Sequence, residues 1–480
     1  MIKAIRGTRD LLPPDTALWN FVESTARDVF RAYNFQEIRT PIFEATELFA
    51  RGVGEETDIV SKEMFTWEDV GRRGSVSGSA SGSHSASVSR SGSGAHLESR
   101  SESASGSRSQ SYSGSLSGSQ SRSRSGNDTD RAQSLTLRPE ATAGIVRAYI
   151  EHGLEKRGLN KLFCMGPMFR RERPQKGRYR QFYQIDAEVI GPASAGSDSP
   201  ARDAEILEML ATLLDRLGIT DWNLELNSVG CPNDRARFNE ALRQALDPVK
   251  DKMCADCQRR AVTNPLRVFD CKVPEDQPII EKLPRISQFL DEPCRQHFEA
   301  VEEILRAIGV EFHINDRLVR GLDYYTRTAF EFTHGALGAQ NAILGGGRYD
   351  GLSEALGGPP APGIGFAIGE DRLVMSLEEK RSAESVMRKP DAYIAPLGAS
   401  MNREAARLAR ELRRQDLVIE LGDESFRLKK SFETAAKVGA KYILIVGENE
   451  VKADAFALKN LATGEQIQVP RAELARAIRS

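Results

Sequence analysis

The sequence predicts an α+β protein with a strand-based core, a mainly helical insertion and a C-terminal α/β domain. Three observations carry this. Gly166 to Gly191 opens with a short apolar strand, passes through a loop of cations and closes with an alternating strand, which is a hairpin pattern. From about Gly230 to Pro293 the pattern turns helical and irregular. Near the end, Ala392 to Pro396, Leu417 to Leu421 and Tyr442 to Val446 are short apolar runs. Helical stretches around Arg403 to Arg414 and Phe426 to Val438 separate them, so this part reads as a parallel α/β domain.

The 480 residues suggest two to four domains. A hydrophobic content of 40% with 28% charged residues is ordinary for a globular chain. No run approaches the roughly 18 apolar residues that a membrane span needs. Met1 to Arg6 lacks an apolar signal core. The 6 cysteines do not form a secreted disulfide framework, so reduced thiols and a cytoplasmic location are expected. With a net charge of −2, any nucleic-acid contact must come from local basic faces.

The hairpin loop sets Arg170, Arg171, Arg173, Lys176, Arg178 and Arg180 against a single acid, Glu172. Guanidinium groups fork two donors toward phosphate or carboxylate oxygens, and a hairpin holds such forks in place. A solvated basic hairpin is the competing reading. Phe169-Arg170-Arg171-Glu172 followed by Arg178-Tyr179-Arg180-Gln181-Phe182 resembles the second signature motif of class II aminoacyl-tRNA synthetases. Gln184, Asp186 and Glu188 resemble the form found in the histidyl-tRNA synthetase family. The run Leu318 to Tyr324, Leu-Val-Arg-Gly-Leu-Asp-Tyr, closely resembles the motif peculiar to that family. The resemblance implies a class II antiparallel-sheet catalytic core over 1–385 and an anticodon-binding domain over 386–480.

In chain order, Trp19, Val22, Ala26, Val29, Phe30 and Tyr33 recur at helical spacing, and Asn34 stops that helix. The strand ending at Pro41 loosely resembles the first class II motif, which in the family builds a homodimer interface. From Gly71 to about Arg131 serine, glycine and arginine dominate, too polar to offset the cost of chain ordering, so 71–131 reads as disordered. Its flanks resemble neighbouring family strands joined by a tight turn. Lengthening that turn from ~4 to ~60 residues costs only ~2.4 kcal/mol of loop closure. A tolerated surface insertion is the plain reading; Ser-Arg runs that tether RNA or accept phosphate are the alternative.

Leu135 to Thr142 resumes the core, with Ala141 where the family usually has glycine, and Ala143 to Ile150 reads as a helix. Ile206, Leu207, Leu210, Leu213, Leu214 and Leu217 form an apolar stripe that Gly218 ends, and Trp222, Leu224 and Leu226 alternate as a strand. In the helical insertion, about 230–293, Cys254-Ala-Asp-Cys257 with Cys271 begins a zinc spacing. No second close pair completes it, so isolated thiols are expected. Phe330 and Phe332 share one face of the strand after Tyr325. The three glycines of Leu344-Gly-Gly-Gly-Arg348 allow a close backbone approach. Gly363 to Leu373 resembles the third class II motif, a strand leading into a helix that carries Arg372. It is not a dinucleotide fingerprint, and no phosphate-binding Walker loop occurs, so ATP must be held by arginines. A charged linker follows, from Leu377 to Lys389.

By resemblance, the enzyme is a histidine–tRNA ligase that activates L-histidine with ATP and transfers it to tRNA(His). Arg170 and Arg320 are expected to be catalytic, neutralising the α-phosphate. Arg178 and Arg372 fit the rest of the ATP tail, Glu172 orients the adenine or a neighbouring arginine, and Mg²⁺ bridges phosphate oxygens. Glu188, Tyr325 and Tyr324 are expected at the imidazole; Glu140, Ala141, Thr142 and Gln184 surround the α-ammonium group. No metal ligand is assigned, and no membrane contact is expected. The rivals are a non-catalytic synthetase-like regulator that senses histidine or tRNA, and a class II synthetase for another amino acid. The three motif arginines disfavour the first, and the Arg320 to Tyr325 cluster disfavours the second.

Overall fold

The structure is a computed structural model that describes residues 2–54, 57–69, 133–175, 177–335, 341–378 and 381–480. The insert read as disordered at 71–131 and the loop cation Lys176 lie outside the described residues. The strands before the C-terminal part open with β1 (Gln36–Glu37), β2 (Phe43–Ala45), β3 (Phe65–Asp69) and β4 (Gln133–Leu137). They continue with β5 (Asn160–Phe169), β6 (Gln181–Ile190), β7 (Trp222–Ser228) and β8 (His313–Ile314). The long central strands β9 (Thr326–His334), β10 (Ala342–Arg348) and β11 (Gly363–Gly369) complete the set.

Eight of these form one sheet in the order β1-β5-β6-β11-β10-β9-β7-β8. Its interior pairs are antiparallel, and β1 and β8 join in parallel at the two edges. The predicted hairpin is the β5–β6 pair. A separate three-stranded sheet, β2-β4-β3, pairs Asp69 with Gln133, so the flanks of the insert are neighbouring strands as expected.

One face of the large sheet carries the core. Ile185, Ala187 and Val189 of β6 and Phe330 and Phe332 of β9 bury against the helices Thr16–Ala32 and Pro200–Leu217. The stripe predicted on the second helix is fully used: Ile206, Leu207, Leu210, Leu213, Leu214 and Leu217 are all buried. Ser199 caps its start, accepting a hydrogen bond from the Ala201 amide. A strand's side chains alternate between faces, so the same register turns Gln184, Asp186 and Glu188 to the other side. On the helix side, Asp203 of Pro200–Leu217 accepts hydrogen bonds from Arg348 of β10 (2.5 Å), Thr328 of β9 (2.6 Å) and His297 of the helix Glu292–Ile308 (2.8 Å).

Two expectations need correction. The linker expected from Leu377 to Lys389 is docked: Ala383 is buried with the main core, and Arg381 lies over the Phe21 ring. The C-terminal domain is not wholly parallel. Its sheet, β13-β12-β14-β15-β16, joins β12 (Ala392–Pro396), β13 (Ile419–Leu421) and β14 (Tyr442–Val446) in parallel. Then β15 (Ala455–Asn460) and β16 (Gln466–Pro470) add in antiparallel fashion. The segments 447–454 and 461–465 are too short for a parallel crossover, which takes a dozen residues or more, so the chain reverses. The basic residues on the helix Asn402–Arg413 stay in solvent, as a charged outer face should.

Candidate active site

Three segments far apart in sequence deliver four arginines to one cavity of about 310 Å³: Arg170 and Arg178 from the β5–β6 hairpin, Arg320, and Arg372 all line it. Arg170 leaves the end of β5. Its Nε donates to the Pro139 carbonyl (2.9 Å), and its guanidinium lies over the Phe182 ring. Glu172 sits between Arg170 and Arg178, 3.3 Å from the latter. Arg320 reaches in from the loop before β9 and pairs with Glu331 at 2.9 Å. Its guanidinium rests on the backbone of Gly345, where any Cβ would collide with it. Arg372 donates to the Ala342 carbonyl (3.0 Å), and burial together with nearby Arg178 lowers its pKa. Cations crowded this closely favour a polyanionic occupant.

The same cavity is lined by Glu140, Thr142, Gln184, Tyr324 and Tyr325. Glu140 accepts from the Thr142 and Ala143 amides (2.8 and 2.9 Å), so its carboxylate satisfies the first free N–H groups of the helix Thr142–Glu151. Burial pushes the Glu140 carboxyl up, and the Tyr324 and Tyr325 phenols as well.

Two expected site residues do not face this space. Ala141 is fully buried at the cap of the helix, away from the lining. Glu188 is also fully buried and lies behind Thr142, whose hydroxyl donates to it at 2.7 Å. Gly365 on the adjacent strand β11 makes room for it, since a Cβ there would overlap the carboxylate. Burial pushes the Glu188 carboxyl up to about 8, with Tyr349 and Thr142 pulling the other way.

This raised pKa has a testable sign. The folded protein keeps a proton that the unfolded chain releases near pH 4.5, so stability falls as pH rises toward 8 and levels off above it. One such group contributes at most about 1.4 kcal/mol per pH unit inside that window. Glu188→Gln is expected to flatten the fall in melting temperature between these limits. Equal slopes for the two proteins would refute the assignment.

The loop cations divide by environment. Arg171 lies over the Phe65 ring, and Arg180 donates its amide to the Gly7 carbonyl (2.7 Å); neither lines the cavity, nor does Arg173. Charge density alone therefore overstated the site. Three residues were missed. Glu331 is the polar member between Phe330 and Phe332, and strand alternation alone would have aimed it opposite the core. Asp371, on the cavity wall, pairs with Arg9 (2.6 Å), which stacks over the Tyr179 ring. Nothing in the sequence pattern links Arg9 to residues so distant.

A family model described as histidyl-tRNA synthetase matches residues 114–373, and one described as anticodon binding domain matches 391–480. A histidine–tRNA ligase from Koribacter versatilis is 62% identical, across 100% of this chain and 96% of that protein. The chain belongs to the histidyl-tRNA synthetase family. A second ligase of that name, from Solibacter usitatus, is 51% identical over 99% of this chain and 98% of its own. The apo histidyl-tRNA synthetase of S. aureus superposes with a TM-score of 0.72 at 31% identity, with 100% of both chains covered. An ATP phosphoribosyltransferase regulatory subunit/histidyl-tRNA synthetase from Bacillus halodurans shares the fold, with a TM-score of 0.56 at 17% identity. Full-length identity to ligases of this kind favours the enzyme over the regulator.

The synthetase cavity also suits a hard divalent cation. Glu172 and Glu331 both line it as carboxylates, the hard oxygen donors such an ion takes, although Glu172 Oε2 is 3.3 Å from the Arg178 guanidinium and Glu331 Oε2 is 2.9 Å from Arg320. Among the described residues, no helix is long and apolar enough to cross a membrane.

Proposed function

We propose that residues 1–385 carry out the family's histidine activation at this cavity and that 386–480 hold the anticodon of tRNA(His). The observation that supports this best is the meeting of Arg170, Arg178, Arg320 and Arg372 beside Glu140, Thr142, Gln184 and the Tyr324–Tyr325 pair. The enzyme is a ligase with ATP as a substrate. A carboxylate oxygen of histidine attacks the α-phosphorus of ATP in line; the bond to the bridging oxygen breaks, and pyrophosphate leaves. Arg170 and Arg320 neutralise the charge that builds on the α-phosphate oxygens. Arg178 and Arg372 hold the tail, and Glu172 keeps Arg178 in position through their ion pair. Glu172 and Glu331 would hold Mg²⁺, which when bound adds further neutralisation of phosphate charge.

Tyr324, Tyr325 and Gln184 line the amino-acid end. Glu188 acts from behind by accepting the Thr142 hydroxyl proton, which leaves the Thr142 oxygen as an acceptor that an imidazole N–H can satisfy and an apolar side chain cannot. In the second step a terminal ribose hydroxyl of tRNA(His) attacks the activated carbonyl and AMP leaves. The chain works as a cytoplasmic homodimer. Ile42, Phe43 and Trp67, exposed beside the first motif, supply an apolar surface for that contact. The decisive experiment is ATP–pyrophosphate exchange with single amino acids, followed by charging of tRNA(His). Exchange with histidine alone and charging of that tRNA are expected. Exchange driven equally by proline or threonine, or none with any amino acid, would overturn the proposal.

A further inference from the structure

The thiols expected to be isolated are brought together. Cys254 caps the helix Ala255–Thr263 and Cys257 lies in its first turn, while Cys271 follows the 3-10 turn Pro265–Asp270. Asp276 closes the next turn, Pro274–Asp276. The sequence offered no fourth ligand because a lone aspartate carries no spacing signal, and only the fold brings it back to the cysteines. One ligand atom from each of the four lies within 4.8 Å of all the others. Cys254 Sγ is 3.9 Å from Cys271 Sγ, and Cys271 Sγ is 3.1 Å from Asp276 Oδ2. A tetrahedral ion with sulfur ligands at about 2.3 Å sets neighbouring sulfurs about 3.8 Å apart, so this spacing needs almost no movement. All the thiols are free. Cys257, Cys271 and Asp276 are buried, which leaves water little part in satisfying them.

The surroundings orient these groups as ligands. The Val273 amide donates to Cys271 Sγ (3.4 Å), and the Cys254 amide donates to Asp276 Oδ1 (3.0 Å). Backbone N–H groups that fix a sulfur or carboxylate in this way form the outer support metal sites use. The region also lacks long regular elements, since short 3-10 turns and the four-residue helix Gln277–Ile280 make up most of 264–289. A second cluster, Cys231, Asp234, Asp291 and Cys294, differs in kind. Asp291 caps the helix Glu292–Ile308 through the Cys294 amide (2.8 Å), and Asp234 is taken by Arg237 and the Cys231 and Asp291 amides. Ordinary capping accounts for that cluster.

We propose that Cys254, Cys257, Cys271 and Asp276 form a closed, structural site for a thiophilic divalent cation with the chemistry of zinc. Three thiolates favour a soft or borderline ion over magnesium or calcium, and four protein ligands leave no open position for catalysis. The role is to hold the insertion against the loop that carries Arg320. Gln277, next to Asp276, donates to the Cys271 and Val273 carbonyls (2.8 and 3.2 Å) and accepts from Arg317 (2.6 Å). Arg267, between the cysteines, donates to the Gly321 carbonyl (2.5 Å). Both sides of Arg320 are thereby tied to the segment that the ion would fix. Binding would displace the thiol protons and couple ion affinity to the folding of this segment.

The test uses the full chain, purified under reducing conditions without an affinity tag that binds metal. Elemental analysis is expected to find one zinc per chain, as a closed four-ligand site requires. Cobalt added to the reduced, metal-stripped protein is expected to give tetrahedral absorption with thiolate-to-cobalt charge transfer. Cys254→Ser with Cys271→Ser should abolish both signals, and Cys231→Ser with Cys294→Ser should leave both intact. If the first pair fails to fold, Asp276→Asn serves instead, with weakened cobalt binding and an altered spectrum. Absence of zinc with no uptake of added zinc or cobalt overturns the proposal. So does a Cys254–Cys271 disulfide in the purified protein, or metal that leaves with Cys231 and Cys294.

Discussion

Arg320→Ala is expected to lower histidine-dependent ATP–pyrophosphate exchange by about a hundred- to a thousand-fold, the usual loss when one fixed charge is removed from a transition state. The fold should survive. Among the described residues Arg320 forms its ion pair with Glu331, and with side chains 18% and 25% exposed that pair is reached by water, so its loss costs about 1 kcal/mol or less. The Tyr325 ring beneath the guanidinium remains packed without it. What disappears is a positive charge held rigidly between Glu331, Tyr325 and the backbone of Gly345, and water that enters cannot be ordered in advance in the same way. Melting temperature and exchange rate measured on the same sample separate the two effects. Near-normal exchange, or a fall in activity matched by unfolding, would remove Arg320 from the chemistry.

The largest effect on stability is expected at Asp203. Its side chain and that of Arg348 are both 0% exposed and 2.5 Å apart. Burial alone would raise the Asp203 pKa, but Arg348, His297 and Thr328 outweigh it and hold the carboxyl below its ordinary value. Asp203→Ala strands a buried guanidinium, which typically costs 3–5 kcal/mol, roughly. The Ser197 carbonyl and Asp350 still accept from Arg348, which places the expectation near the lower end of that range. Because the folded pKa is depressed, this stabilisation is present above the ordinary aspartate value and is lost as pH falls through the folded one. Urea unfolding of the variant at neutral pH checks it, and a change under about 1 kcal/mol would show that the hub is not structural. The consequence reaches the site, since Asp203 joins β9 and β10, which carry Glu331 and Gly345.

Much of this was legible in the chain. The stripe from Ile206 to Leu217, the strand-to-helix passage that bears Arg372 and the hairpin around the arginines are local patterns. Periodicity and turn residues are read within a few positions of themselves, so they survive without the fold. The expectation of an all-parallel C-terminal sheet failed where connection lengths at 447–454 and 461–465, rather than strand composition, decide direction. The linker expected near Leu377 to Lys389 failed because Ala383 and Arg381 find partners on a helix some hundreds of residues earlier.

The sequence, through its family resemblance, supplied the residue types proposed for the chemistry: arginines for phosphate, and an acid with two phenols for a polar side chain. Its strand alternation also determined that Gln184 and Glu188 share a face. Only the tertiary structure decided which cations turn inward, since Arg170 and Arg178 line the cavity while Arg171 rests on Phe65. It also set Glu188 behind Thr142 and carried Asp276 to three cysteines. The reason is physical: side-chain type and periodicity are local properties, whereas burial and the meeting of charges depend on chain segments that touch only once the sheet has closed.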